Sequence, residues 1–90
     1  MSYKIIYHKK AEKLLRTNKE ISVRFMKAFD EIANNDKWAM KSYDIKTFHS
    51  KEYNDIYRLR IGKYRAIFRV IDEKLVIFVL NIGSHGDIYK

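Results

Sequence analysis

Ninety residues allow one domain with one core, and a chain of this size buries roughly 60 to 65 per cent of its unfolded surface. With 47% hydrophobic and 14% aromatic residues it can offset the entropy of ordering, which excludes intrinsic disorder, and the absence of Cys excludes disulfides, zinc ribbons and thiol catalysis. Nineteen Lys and Arg against eleven Asp and Glu give a formal charge of +8, a field that draws polyanions: nucleic acid first, then an acidic protein or an anionic membrane surface.

The opening "MSYKIIYHKKAEK" has no apolar run long enough for a signal peptide or a membrane span, so a cytoplasmic location is the default expectation. Within it, "YKIIYH" sets Tyr3, Ile5 and Tyr7 against Lys4, Ile6 and His8, the period of two that suits a strand. In "KKAEKLLR", Ala11, Leu14 and Leu15 stand at i, i+3 and i+4, which predicts a short helix.

"TNKE" before Ile21 fits a capping box, with Thr17 as N-cap and Glu20 three residues on. Ile21, Phe25, Ala28 and Ile32 continue an apolar stripe to a helix end at Asn34 and Asn35. Residues 36 to 55 keep no sustained period and read as loop, with a short extended piece around Ile45 to Phe48.

From Ile56 the strand pattern returns. Tyr57, Leu59 and Ile61 oppose Arg58 and Arg60, and Gly62-Lys63 supplies a two-residue hairpin turn. The return strand runs from Tyr64 to about Ile71, turns at "DEK" and leads into "LVIFVLNI", apolar from Leu75 to Leu80 and so expected to lie centrally, covered on both faces. With no Pro, three Gly, no linker and no repeat, residues 1–90 form one unit. Its fold class is α+β: an N-terminal strand, two helices, then an antiparallel three-strand meander, with the helices on one sheet face.

"IYRLRIGKYRAIFRV", residues 56 to 70, carries five basic residues and no carboxylate. Alternation puts Arg58 and Arg60 on one face and Arg65, Ile67 and Arg69 on the same side of the return strand. Solvated charges on an open sheet face are one reading. Like charges on neighbouring strands destabilise, however, so the cluster calls for an external counter-charge, and phosphate matches the bidentate guanidinium fork.

The tail "YRLRIGKYRAIFRVIDEKLVIFVLNIGSHGDIY" resembles the RelE family of bacterial toxins, within the RelE/ParE superfamily. Its basic "Y-(R/K)-x-(R/K)" strand, "G-x-YR" turn, "VIDEK" and terminal Tyr carry the likeness over about a third of the chain. Between Gly83 and Tyr89 the segment is shorter than in the best-known RelE form and is more similar to the "G-(S/T)-H-x-D-(L/F/I)-(F/Y)" tail of the YafQ branch.

The resemblance implies a toxin of a type II toxin-antitoxin system that enters the ribosomal A site and cleaves mRNA there. It implies a cognate acidic antitoxin that wraps the toxin, in a complex that is a candidate binder of operator DNA. By the same resemblance Arg58 and Arg60 hold the RNA backbone, Arg60 also acting at the scissile phosphate, and Arg65 stabilises the developing charge. His85 serves in proton transfer, Tyr89 stacks on a base or assists the chemistry, and Lys63, Arg69 and His49 are RNA-proximal.

The implied reaction is attack of a 2′-hydroxyl on the adjacent phosphate, which needs a base, an acid and cations for the phosphorane-like transition state. His85, with an ordinary pKa of about 6.5, can exchange a proton near neutrality, and a surface His on a C-terminal tail is the plainer alternative. Three scattered His and no close carboxylate pair argue against a metal site, and no cofactor is expected. Two competing functions stay open: a ParE-like inhibitor of DNA gyrase without nuclease activity, and a noncatalytic nucleic-acid-binding module.

Overall fold

The computed structural model describes residues 3–34, 43–48 and 55–84. Strand β1 (Lys4–Tyr7) leads into helices α1 (Lys9–Thr17) and α2 (Lys19–Asn34), followed by strands β2 (Asp44–Thr47), β3 (Ile56–Ile61), β4 (Tyr64–Ile71) and β5 (Val76–Ser84). They form one sheet in the order β1-β5-β4-β3-β2, antiparallel from β2 to β5, with β1 added parallel to β5.

The expected α+β layout is present, and the meander is one strand longer than expected because the extended piece near Ile45 pairs with β3 as an edge strand. β5 is internal, between β1 and β4, but β4 takes the middle position. The unbroken apolar run of β5 thus marks a strand flanked on both sides, and its burial still alternates along Val76 to Val79.

Both helices cover one face. Ala11, Phe25, Ala28, Phe29 and Ile32 meet Leu59, Ile61, Ala66, Phe68, Ile77, Val79 and Ile82 in a single core. Phe29 sits edge-on to Phe68 with ring centres 5.2 Å apart, and Phe25 stacks beside Phe29. Burying each such ring stabilises the fold by about 1.5 to 3 kcal/mol.

The joint between the helices corrects one expectation. Thr17 is the last residue of α1, and its hydroxyl donates back to the carbonyls of Lys13 and Leu14. Asn18 does the capping: its Oδ1 accepts from the Ile21 amide at 3.2 Å, and its own amide donates to the Leu14 carbonyl. A short amide side chain at 18 reaches the orphan amides of α2 while Thr17 is still helical, so the N-cap falls one residue later than expected and, with Ile21 at the third helical position, Glu20 closes no capping box.

At the β3–β4 turn Gly62 has φ +61°, the left-handed region that Gly enters without steric cost, and Ile61 pairs with Tyr64 as a two-residue hairpin requires. Farther along, β5 carries a bulge: Ile67 pairs with Asn81 and Phe68 with Val79, so Leu80 is the extra residue. The bulge lets both Val79 and Ile82 reach the core and leaves Asn81 and Gly83 on the opposite face with Ile67 and Arg65.

Candidate nucleic-acid interface

The face away from the helices is built by alternation. Tyr57, Leu59 and Ile61 are taken up by the core, which turns Ile56, Arg58 and Arg60 to the other side; on β4 the core takes Tyr64, Ala66, Phe68 and Val70 and leaves Arg65, Ile67 and Arg69. Ile56 and Ile67 form a small apolar floor, 5% and 8% exposed, beneath the arginine stems.

Register brings the cations together. Arg60 lies directly opposite Arg65, and Arg58 lies between Lys46 on β2 and Ile67 on β4. On the far side of Arg65 the ladder partner is Gly83, so β5 offers no side chain at that position. The Nε atoms of Arg58 and Arg65 are buried and have no hydrogen-bond partner among the described residues. A buried donor left unmade costs about 1 to 3 kcal/mol, and such a cost is most often kept where a ligand or a function uses the group.

Two carboxylates reach this face from outside the 56 to 70 stretch, and here the sequence expectation is corrected. Asp44 of β2 pairs with Arg60, its Oδ2 2.8 Å from Nε. Asp55 grips Arg69 with both oxygens, Oδ1 to Nε at 2.9 Å and Oδ2 to the terminal nitrogen at 3.0 Å. The counter-charges were invisible in the local sequence because each comes from a neighbouring segment that the ladder or the loop entry brings alongside.

The two pairs differ in strength. Arg60 and Asp44 are 51% and 32% exposed, the regime in which an ion pair contributes about 0 to 1 kcal/mol. The Arg69 guanidinium, hydrogen-bonded in a bidentate fork at a less exposed site, holds the Asp55 carboxyl below its ordinary pKa. Arg69 is therefore fixed by the protein itself, whereas Arg60 can exchange its carboxylate for a phosphate at small cost.

The remaining site residues divide cleanly. Lys63 stands exposed on the hairpin turn, beside a cleft that Asn18, Arg24 and Tyr64 also line. His49, His85 and Tyr89 lie outside the described residues; His85 is next in the chain after Ser84, whose ladder partner is Tyr64. Sequence reasoning missed Asp44, Asp55, Arg24, Lys27 and Tyr43. The Tyr43 hydroxyl donates to Glu31 at 2.5 Å, and that bond, with burial and the Glu31 charge, pushes its pKa up to about 12. Among the described residues no group of three or more His, Cys, Asp or Glu is arranged to hold a metal ion, and no described helix is long and apolar enough to cross a membrane.

Comparison with known proteins places this geometry. The family model of the ParE toxin of type II toxin-antitoxin systems matches residues 5–89. No curated protein sequence matches the chain significantly. Among solved structures, the archaeal RelE–RelB complex from Pyrococcus horikoshii is similar with a TM-score of 0.76 and 27% identity, over 96% of this chain and 98% of that one. The RelB–RelE antitoxin–toxin complex from Methanococcus jannaschii follows at 0.69 and 25%, over 93% and 94%. The E. coli DinJ–YafQ toxin–antitoxin complex shares the fold with a TM-score of 0.79 over the full length of both chains at 11% identity. Matched over nearly its whole length, the chain belongs to the ParE toxin family of type II toxin-antitoxin systems, within the RelE/ParE superfamily.

Proposed function

We propose that this toxin is an endoribonuclease that cleaves mRNA in the ribosomal A site and so inhibits translation. The observation that carries the reading is the cluster of Arg58, Arg60 and Arg65 on the open sheet face, with two buried guanidinium nitrogens that no group among the described residues satisfies. A sugar-phosphate backbone supplies the missing acceptors, and the likeness to RelE and YafQ folds supports an RNA substrate.

In the reaction the 2′-oxygen forms a bond to the adjacent phosphorus as the bond from phosphorus to the 5′-oxygen breaks, giving a 2′,3′-cyclic phosphate and a 5′-hydroxyl. One proton leaves the 2′-hydroxyl and one arrives at the 5′-oxygen. Arg65 and Arg60, side by side on facing strands, offer positive charge to the non-bridging oxygens as that charge grows. Arg58 holds a flanking phosphate. His85 serves in proton transfer and Tyr89 stacks on an unpaired base, a contact worth about 1 to 3 kcal/mol. Lys63, Arg69 and His49 border the RNA, Arg69 by fixing the rim through Asp55 and not by taking a phosphate of its own.

An acidic antitoxin that folds on this surface completes the assignment, as the net charge of +8 favours, with operator DNA as a target of the complex. The second reading, inhibition of DNA gyrase, is favoured by the ParE family match. The two separate in one pair of assays: new 5′ ends in mRNA on ribosomes with an empty A site support the nuclease, and loss of gyrase supercoiling with intact mRNA overturns it.

A further inference from the structure

Beyond the sheet face, a cleft of about 480 Å³ opens beside the β3–β4 turn, between α2 and the edge strand. Arg24 and Lys27 line it from α2, Glu31 and Tyr43 close one side, and Asp44 and Arg60 form the other. Both acids in it are occupied, Glu31 by the Tyr43 hydroxyl and Asp44 by Arg60. Arg24 and Lys27, at i and i+3 on one helix face, make no ion pair among the described residues.

A second cleft of about 350 Å³ adjoins it. Arg24 and Gly62 line both, and the second adds Lys63, with Glu20 as its single acid, itself outside any ion pair among the described residues. Arg60 links the whole to the arginine cluster, since it lines the first cleft and stands opposite Arg65. Cations therefore follow one another from Arg58 and Arg65, through Arg60, past the hairpin turn at Lys63, to Arg24 and Lys27, with Asp44, Glu31 and Glu20 alongside.

We infer that this track holds a continuous single strand of RNA, with Arg24, Lys27 and Lys63 taking sugar-phosphate groups that flank the nucleotides on the sheet. The inference rests on the RNA reading above and extends the footprint from one sheet face to the side of α2. An acidic protein fits less well, because the first cleft offers a single aromatic anchor, Tyr43, whose hydroxyl is already held by Glu31. The apolar side chain lining the first cleft is Ile61, only 8% exposed. Val23 and Met26, the exposed apolar residues of α2, line neither cleft, and Val23, at i−4 to Lys27, stands about 40° around the helix from it.

The test is salt-dependent binding, read by fluorescence anisotropy, of 2′-O-methyl RNA, which keeps every phosphate but cannot be cut by 2′-hydroxyl attack. A trinucleotide covers the sheet cluster alone and a dodecanucleotide covers the whole track. For the dodecanucleotide the double variant Arg24→Gln/Lys27→Gln lowers the steepness of log K against log salt by about 1.4, at about 0.7 per single-strand phosphate contact, and trinucleotide binding is unchanged. The charge-keeping variant Arg24→Lys/Lys27→Arg retains the wild-type slope.

Equal slopes for wild type and the Gln variant on the dodecanucleotide overturn the inference. So does a Gln variant that keeps its RNA slope but loses an acidic protein partner. Cleavage is not read in this assay, so a toxin that binds along the track but does not cut RNA sinks the nuclease reading and leaves this one standing.

Discussion

Arg60 and Arg65 stand directly opposite each other across the β3–β4 ladder, and the carboxylate that tempers the pair, Asp44, comes from the edge strand on the other side of Arg60. Like charges in that relation are destabilising. On the proposed RNA reading, Asp44 is a resident counter-ion in the place a phosphate would take.

Asp44→Asn should therefore bind single-stranded RNA more tightly, because Arg60 engages its phosphate without first releasing a carboxylate. Its melting temperature should fall slightly, since an exposed pair contributes about 0 to 1 kcal/mol. Anisotropy and thermal melts on the same samples check both, and weaker RNA binding would contradict the role given to Asp44.

Arg58→Met is expected to move stability and binding in opposite directions. It keeps the apolar stem over Ile56 and Ile67 and removes a buried donor that has no partner among the described residues, so unfolding in urea should cost about 1 kcal/mol more than in wild type. RNA affinity should fall. A variant that is less stable would show that the Arg58 head is satisfied in the free toxin.

Asp55 carries the pH dependence. Its carboxyl is held below the ordinary value by Arg69, so the folded chain binds that proton more weakly than the unfolded one. The stability gained is full above the ordinary carboxylate pKa of about 4 and is lost as pH falls through the lower folded value. Asp55→Asn should be less stable than wild type at neutral pH, and the gap should close below about pH 4. Denaturant melts across that range test it; a gap that stays constant into acid would contradict the assignment.

The helix joint gives a prediction that separates local sequence reading from tertiary fact. Asn18→Ala should destabilise by about 1 kcal/mol, because it removes the cap on Ile21 and the bond to the Tyr64 hydroxyl. Thr17→Ala should stay within about 0.5 kcal/mol. The reverse order in thermal melts would restore Thr17 as the cap.

Much of the fold was legible because its rules are local. Ile21, Phe25, Ala28 and Ile32 fell at helical spacing and are all buried, and Tyr57, Leu59 and Ile61 alternated against Arg58 and Arg60 as the sheet faces require. What stayed hidden depends on pairing between distant segments. Neither the parallel addition of β1 to β5 nor the place of β2 at the edge leaves a period in the sequence. The same holds at the interface. Arg58, Arg60 and Arg65 were visible as a run of cations, but Asp44 and Asp55 lie outside that run, and Arg24 and Lys27 sit on a helix about forty residues earlier in the chain.

The central claim is tested most directly by primer-extension mapping of one mRNA, naked and on ribosomes with an empty A site, treated with wild type, Arg65→Ala and His85→Ala. New 5′ ends are expected in the A-site codon with wild type alone. Arg65→Ala should lose about 10²- to 10³-fold and His85→Ala about 10²- to 10⁴-fold in rate, with both variants still unfolding in one cooperative transition. An mRNA left intact by wild type on the ribosome would contradict the account and leave gyrase inhibition as the reading of this fold.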